Sequence, residues 1–350
     1  MTLHGVYPDR LPVSTELIES LRNDDMERFR AVPHTVMINA WQPGLQWLLL
    51  DRTYPAQIRL RHHLLGQRLR HVIDRLPGDT VRQAELELRD EVVAYLLDTY
   101  PGYFQRDGDL VLSPLTGLAI DVSPRGADPL VAVALLASED MLLLLPAQRE
   151  ANAGYILQSG ALLFPNGWSL RSQFDKPEPQ GDAAASADWH AQRQRSQRAA
   201  RLGKSPREIH DGHVRHYMEQ FAARVDRFFA RMEPGMRTWR RNWGMKPDGE
   251  LFLHPDVITG PARVMDADGW AAHGYLRSEQ ETFAKLPRSG AIVFGIKTYL
   301  WKLSDLVSNP VALNALLAAS DQLAPAMAEY RAEGLPAFRQ FLERHRPLNG

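Results

Sequence analysis

Three histidines that follow one another closely are the first residues of this chain that could do chemistry. His210, His213 and His216 recur at spacings of three, just before a long amphipathic run. A step of three residues on an α-helix turns the side chain by about 300°, so only neighbouring pairs share a face. We interpret the segment 205–216 as a cofactor-holding hinge between a sheet and a helix.

Imidazole side chains at this spacing permit more than one site. A His-x-x-His pair with a distant carboxylate such as Glu279 could bind non-haem iron or zinc, because both metals accept imidazole and carboxylate. An axial haem ligand needs only one neutral histidine in apolar surroundings. The histidines could also simply flank the helix, and the spacing leaves all three interpretations open.

A second candidate set is polar and lies in otherwise apolar or aromatic segments. It consists of Arg240, Asn242, Glu279 and Thr298. Burying such groups without partners would be costly, so they face water, pair with one another or converge on a polar ligand. Spacing alone favours mutual pairing.

Composition narrows the classes of function. The chain of 350 residues has no cysteine, which excludes disulfides, iron–sulfur ligation and thiol nucleophiles and leaves His and carboxylate as metal ligands. Lys plus Arg (41) nearly balances Asp plus Glu (42), so no overall charge attracts nucleic acid or an anionic membrane. No phosphate-binding loop, dinucleotide fingerprint or Gly-x-Ser-x-Gly motif occurs.

The apolar runs are too short to cross a bilayer, and the N-terminus lacks the pattern of a secretory signal. We therefore predict a cytoplasmic protein with neither nucleic acid nor membrane as a partner.

Periodicity predicts helices in the first hundred residues. Ser14 or Thr15 can cap a helix that starts near Glu16, and apolar spacing continues from Thr80 until Pro101. The arginine-rich segment 56–76 is predicted to be a solvated basic helix. Short apolar runs after Gly102 predict buried strands at 110–112, 130–136 and 141–145, and the run 155–165 leads into a predicted turn at Asn166-Gly167.

The second half predicts a helix between strands. Residues 175–201 are predicted to be an exposed insertion with a basic end, and an apolar stripe over 218–229 predicts a core helix that stops at Pro234 and Gly235. Alternation predicts strands at 236–243, 275–283 and 291–300.

The predicted fold class is α+β, with a mainly antiparallel sheet and helices packed to one side. We predict one domain over 1–350, with a helical part at 1–104, a core at 105–305 that includes the insertion 175–201, and C-terminal helices at 306–350.

Several blocks together resemble one known family. The blocks are LQSGALLFPNGW (157–168), LGKSPREIH (202–210), VDRFF (225–229), WRRNW (239–243) and LPRSGAIVFGIKTYL (286–300). In this order they are similar to the haem-dependent oxidative N-demethylase α-subunit family, over roughly residues 80–305.

The resemblance implies a PAS-like antiparallel sheet with flanking helices that hold haem b. It implies oxidation of a small secondary amine, such as dimethylamine, with O2 and externally supplied electrons, and release of formaldehyde. FMN, a 2Fe–2S cluster and tetrahydrofolate are then expected only on partner subunits, which act as the flavin and iron–sulfur reductase.

The resemblance also implies roles for individual residues. His210 would be the proximal iron ligand, and Glu279 would orient the protonated amine. The other residues carried over are Arg240, Asn242 and Thr298 for oxygen polarisation or propionate contacts, Arg288 for a propionate, and Trp168 for cofactor binding.

Three departures from the family pattern accompany these roles: the insertion 175–201, Gly212-His213-Val214 in place of a more proline-rich continuation, and Lys297 where arginine is common. The second departure makes His213 a competing ligand. The alternative functions are a non-catalytic haem gas sensor or carrier, a non-haem enzyme that uses His210, His213 and Glu279, and a cofactor-free interaction protein.

Overall fold

The computed structural model describes residues 3–21, 38–147, 154–171, 199–211, 217–257, 265–323 and 334–346. Its α-helices, numbered in chain order, are α1 (Thr15–Ser20), α2 (Tyr54–Val72), α3 (Asp79–Thr99), α4 (Pro129–Leu136), α5 (Pro206–His210), α6 (Ala223–Arg231), α7 (Ala267–His273), α8 (Leu303–Val307), α9 (Pro310–Asp321) and α10 (Leu335–Arg344). A short π-helix, Met218–Ala222, runs directly into α6.

The strands form two antiparallel sheets. They are β1 (Val6–Tyr7), β2 (Asn39–Ala40), β3 (Ile73–Arg75), β4 (Gln105–Asp107), β5 (Leu110–Ser113), β6 (Leu118–Asp121), β7 (Asp140–Pro146), β8 (Tyr155–Ala161), β9 (Arg237–Lys246), β10 (Tyr275–Lys285) and β11 (Ile292–Lys302). The smaller sheet has the order β1-β6-β5-β4, and the larger one has the order β2-β9-β10-β11-β7-β8-β3. The predicted α+β class and antiparallel pairing are confirmed.

The long strands β9, β10 and β11 form the centre of the larger sheet. Their register places Glu279 opposite Asn242 on one side and opposite Thr298 on the other. Because side chains alternate along a strand, residues paired in this way lie on the same face of the sheet. The register therefore collects polar side chains from three strands on one face.

The opposite face of this sheet packs against α2, α3 and α4. Met141 and Leu143 of β7 and Val293 of β11 share one apolar cluster with residues of these helices. On the polar face, Leu142 and Leu144 of the same strand β7 belong to clusters that include residues of α5 and α6. Helices thus cover both faces, and the prediction that they pack to one side is wrong, because alternate residues of β7 are apolar in both directions.

Buried charges tie α2 to the sheet. Arg61 is fully buried and donates hydrogen bonds to Asp140 (2.8 Å) and to the backbone oxygens of Ala134 and Glu139 (both 2.7 Å). Lys297 of β11 is also buried, and its ammonium donates to Ser138 (2.7 Å). Such satisfied partners make burial of a charge tolerable.

The strand predicted at 130–136 is instead helix α4. Asp128 accepts a hydrogen bond from the backbone N–H of Leu130, and Pro129 occupies the first helical position. Both features favour a helix start. Every residue of α4 is buried, so its apolar run has no polar face to reveal a helical period.

The other elements predicted between residues 110 and 300 agree more closely with the structure. Strands at 110–112, 141–145, 236–243, 275–283 and 291–300 are confirmed as parts of β5, β7, β9, β10 and β11. Helix 218–229 is confirmed as the π-helical turn followed by α6, with Ala222 and Phe229 buried, but Met218 is 43% exposed rather than in the core. The π-helical turn contains Met218 and has more residues per turn than an α-helix, which shifts the stripe out of register there.

Among the residues that the structure describes, no helix combines the length and the apolar character needed to cross a bilayer.

Replacement of Arg61 by alanine tests the buried charges that join α2 to the sheet. It leaves Asp140 buried without its charged partner, so we expect a loss of about 3–5 kcal/mol in the free energy of unfolding. Arg59→Ala is the matched control, because this exposed arginine lies on the same helix and should change stability by less than about 0.5 kcal/mol. Urea unfolding measures both, and equal effects of the two variants would contradict the assignment.

Candidate functional site

Helix α5 is short and closely fixed at its start. The Ser205 hydroxyl accepts from the backbone N–H of Glu208 (3.4 Å), and the Glu208 carboxylate accepts from the N–H of Ser205 (2.7 Å). This capping box satisfies two free donors of the first turn, and Pro206 supplies a pre-set φ angle. His210, at the last position of the helix, is therefore carried on a defined turn.

The imidazole of His210 has a defined tautomer. Its Nδ1 lies 2.7 Å from the backbone oxygen of Pro206. A carbonyl oxygen can only accept, so Nδ1 carries the hydrogen and Nε2 keeps a lone pair. Burial lowers the pKa of His210 to about 4, and the charges of Arg201 and Arg240 act in the same direction. At neutral pH the ring is neutral and can bind a metal through Nε2.

Tyr217 holds the ring of His210 from one side. The two rings are stacked, with centroids 4.6 Å apart and an interplanar angle of 16°. Burial raises the pKa of Tyr217 to about 12, so its phenol stays protonated. Tyr217 directly precedes the π-helical turn, an irregularity that is frequent near functional sites.

The sheet face that α5 covers carries a network centred on Arg277. Its guanidinium donates to Glu279 (2.8 Å) and to the backbone oxygens of Phe164 (2.5 Å) and Leu251 (3.2 Å). Glu279 also accepts from the side-chain amide of Asn242 (3.1 Å). Arg277 therefore fixes the position of Glu279.

A second pair lies two residues along β10. Arg240 donates to the two carboxylate oxygens of Glu281 at 2.5 and 3.3 Å. Burial raises the pKa of Glu281, and the charge of Arg240 offsets this only in part. Burial also acts to raise the pKa of Glu279, but Arg277 and Asn242 outweigh it and the pKa is lowered. The two carboxyls are thus pushed towards different protonation states, a pattern found where acid and base roles divide.

The helix and the sheet face form one neighbourhood. Arg240 lies close enough to His210 and Tyr217 for its charge to influence the pKa of both. His210 and Arg240 are surrounded by protein atoms, yet both remain only half-buried. Both side chains are therefore partly accessible at this surface.

An apolar cluster borders this surface. Trp168 and Ile209 pack against Leu142, Leu157 and Ile296. The guanidinium of Arg201 lies 4.7 Å from the centroid of the Trp168 ring, in a cation–π contact. The site thus joins a neutral imidazole, an apolar wall and a charged sheet face.

The structure brings together most of the residues selected from the sequence. They are His210, Trp168, Arg240, Asn242, Glu279 and Thr298, the last of which accepts from Arg277 at 3.4 Å. Arg288 lies elsewhere: its exposed side chain is 3.6 Å from Glu87 and 3.5 Å from Asp90, both on α3. Its placement in the turn after β10 gives no support to a propionate contact.

His213, His216 and residues 175–198 of the insertion lie outside the described residues. Within the described ranges, no group of three or more His, Asp or Glu side chains is arranged to hold a metal ion.

Sequence reasoning did not select Arg277, Glu281 and Tyr217 as site residues. The alternation of β10 places Arg277, Glu279 and Glu281 on one face. This alternation was a usable signal for Arg277 and Glu281. Tyr217 had no such signal, since only the folded chain stacks it on His210.

The donor set fits a haem. An axial histidine needs a neutral ring with a free Nε2, and a hydrogen bond from Nδ1–H to a carbonyl is the usual way to orient it. His210 has both features, with the aromatic and apolar wall of Trp168 and Ile209 beside it.

The fold and site define an α+β protein with a neutral imidazole near an ionic sheet face. Residues 42–180 and 186–335 match the family described as "Haem-dependent oxidative N-demethylase, alpha subunit-like". The match covers most of the chain, and the protein belongs to this family.

Glutamine substitutions test the different protonation of the two carboxyls. Glu279 has a lowered pKa, so its ionisation stabilises the fold above the ordinary value of 4.5 and this stabilisation is lost as pH falls through the lowered value. Glu281 has a raised pKa, so its proton-linked stabilisation is present below 4.5 and is lost as pH rises through the raised value.

We therefore expect the stability deficit of Glu279→Gln to be largest near pH 7 and to shrink towards pH 4, with the opposite trend for Glu281→Gln. Urea unfolding between these two pH values measures both trends. Parallel pH profiles for the two variants would show that the carboxyls do not differ.

Proposed function

We propose that this protein catalyses haem-dependent oxidative N-demethylation of a small secondary amine, dimethylamine or a close analogue, with O2 and external electrons. The observation that carries the proposal is the neutral imidazole of His210, which is held in the tautomer with hydrogen on Nδ1 and lies near enough to Arg240 for that charge to act on its pKa. Membership of the family supports the same reaction class.

In this proposal His210 would bind the iron of haem b, and Trp168 would form part of the apolar wall of the cofactor site. Haem bound there would supply the activation of O2 and the oxidation of the amine. The hydrogen bond to Pro206 keeps His210 in the ligating tautomer. Tyr217 restrains rotation of the ring by stacking.

Glu279 binds the substrate. Its carboxylate stays ionised because Arg277 and Asn242 hold it, so it can accept a hydrogen bond from a protonated secondary amine. Its position is fixed by Arg277, which is itself 1% exposed and anchored to backbone oxygens of two loops. A fixed acceptor places the methyl group of a small amine reproducibly.

Glu281 and Arg240 form an ion pair beside Glu279. The raised pKa of Glu281 favours its protonated form, and we propose that this carboxyl takes part in proton transfer. Arg240 donates to Glu281 and the amide of Asn242 donates to Glu279, and these two donor groups are the ones we propose to polarise oxygen. Thr298 supports the network through its contact with Arg277.

We further propose that the larger sheet with α5 and α6 is a PAS-like unit within a single domain. The antiparallel strands β9–β11, with helices across the face that carries the candidate site, support this assignment. The family name describes an α-subunit, and we propose that a flavin and iron–sulfur partner supplies the electrons.

The test is formaldehyde formation by the haem-loaded chain, supplied with O2 and a photoreduced flavin as electron source. We expect formaldehyde with dimethylamine and much less with methylamine. Glu279→Gln removes the charge from a hydrogen bond to the ammonium, worth about 1.5–3 kcal/mol, so kcat/KM should fall by roughly 10- to 100-fold. Glu19→Gln, an exposed glutamate on α1, is the matched control and should leave kcat/KM unchanged.

If the haem-loaded chain binds CO and O2 but forms no formaldehyde with any methylamine, the enzyme proposal fails. That result would favour a haem sensor or carrier instead. Equal kcat/KM for Glu279→Gln and wild type would remove Glu279 from the role of amine ligand.

A further inference from the structure

We propose that the exposed face of α6 is the docking surface for an acidic, one-electron donor protein. This inference rests on the proposed function, since it concerns the delivery of electrons to the same site. Demethylation of dimethylamine to methylamine and formaldehyde consumes one O2, two electrons and two protons and forms one water. The chain has no cysteine and so cannot hold an iron–sulfur cluster of its own.

The solvent face of α6 is composed of arginine and alanine. Its exposed residues are Ala223, Arg224, Arg227, Ala230 and Arg231. The three arginines lie within an arc of about 60° and extend over about 10 Å of the helix. Ala223 and Ala230 lie beside the arginine arc and leave the surface low there, so that a partner can approach the guanidinium groups closely.

The acidic residue of α6 does not neutralise this face. Asp226 points towards α5 and forms an ion pair with Arg207. Among the described side chains, none forms an ion pair with Arg224, Arg227 or Arg231. The positive charge of the face is therefore available to a partner, while the chain as a whole carries a net charge of −1.

Helix α6 lies next to the elements that carry and contact His210. The inner side of the helix packs on the polar-face side of the sheet, where Phe229 contacts Phe283 and shares a cluster with Leu144. The Arg207–Asp226 pair joins α6 directly to α5, which carries His210. Tyr217, stacked on His210, lies one π-helical turn before α6. An electron-donor protein bound to this face would thus lie one helix away from His210, the proposed iron ligand.

Charge complementarity selects the class of partner. Electron-transfer encounters are small, transient and steered by opposite charges. Three arginines on two turns of helix suit such a contact. An acidic ferredoxin-type protein supplies the matching carboxylates and a one-electron centre.

The test uses the full-length, haem-loaded chain with a reduced plant-type [2Fe–2S] ferredoxin as probe. The variant R224E/R227E/R231E reverses the face, and R10E/R59E/R106E makes the same charge change at exposed arginines away from α6. Haem reduction under CO is followed at low and high ionic strength, with dithionite as a reductant that needs no docking.

We expect reversal of the α6 face to slow reduction by ferredoxin at least 10-fold at low salt, with the difference vanishing at high salt. The control variant should stay within about 2-fold of wild type. Reduction by dithionite and the urea midpoint should be the same for all three proteins.

Three results would overturn the proposal: equal slowing by both variants, no slowing by the α6 variant, or a wild-type rate independent of salt. Cosedimentation with phosphatidylglycerol vesicles that only the α6 reversal abolishes, without a change in the ferredoxin rate, would overturn it in favour of a membrane contact. Calorimetric titration of ferredoxin into the haem-free chain tests docking on α6 separately from the proposed demethylation. Heat of binding that the α6 reversal abolishes would support docking even if haem binding and demethylation fail.

Discussion

The hydrogen bond from Nδ1–H of His210 to the backbone oxygen of Pro206 is the constraint on which the site depends. It fixes the tautomer, and the low pKa that burial gives the ring keeps Nε2 unprotonated at neutral pH. The capping box at Ser205 fixes the turn that makes this bond possible. The backbone geometry of residues 205–210 thus leaves the imidazole in a form that can bind a metal.

The sheet supplies what a single imidazole lacks. The register of β9, β10 and β11 sets Asn242, Glu279 and Thr298 side by side, and Arg277 joins two of them. Buried charges of this kind are kept only where partners satisfy them, so the network is as much a structural feature as a chemical one. Helices cover both faces of the sheet, and the main apolar core lies on the α2–α4 face. The polar network can therefore occupy the other face without interrupting that core.

Much of this arrangement could be predicted from the sequence, and the failures have physical causes. Alternation in 236–243 and 275–283 predicted both the strands and their polar faces. Helix α4 was missed because a uniformly apolar run has no period. The propionate role of Arg288 rests on resemblance alone and stays a prediction, whereas its contacts with α3 could not be predicted because these partners are distant in sequence. Tyr217 could not be found, because its stacking on His210 depends on the fold.

The central claim is that His210 binds iron, and titration of the purified chain with haemin tests it most directly. We expect a Soret band for wild type, a shifted or weakened band for His210→Gly that added imidazole restores, and a wild-type spectrum for His273→Ala, an exposed histidine on α7. A wild-type chain that stays colourless, or a His210→Gly spectrum identical to that of wild type, would contradict the account.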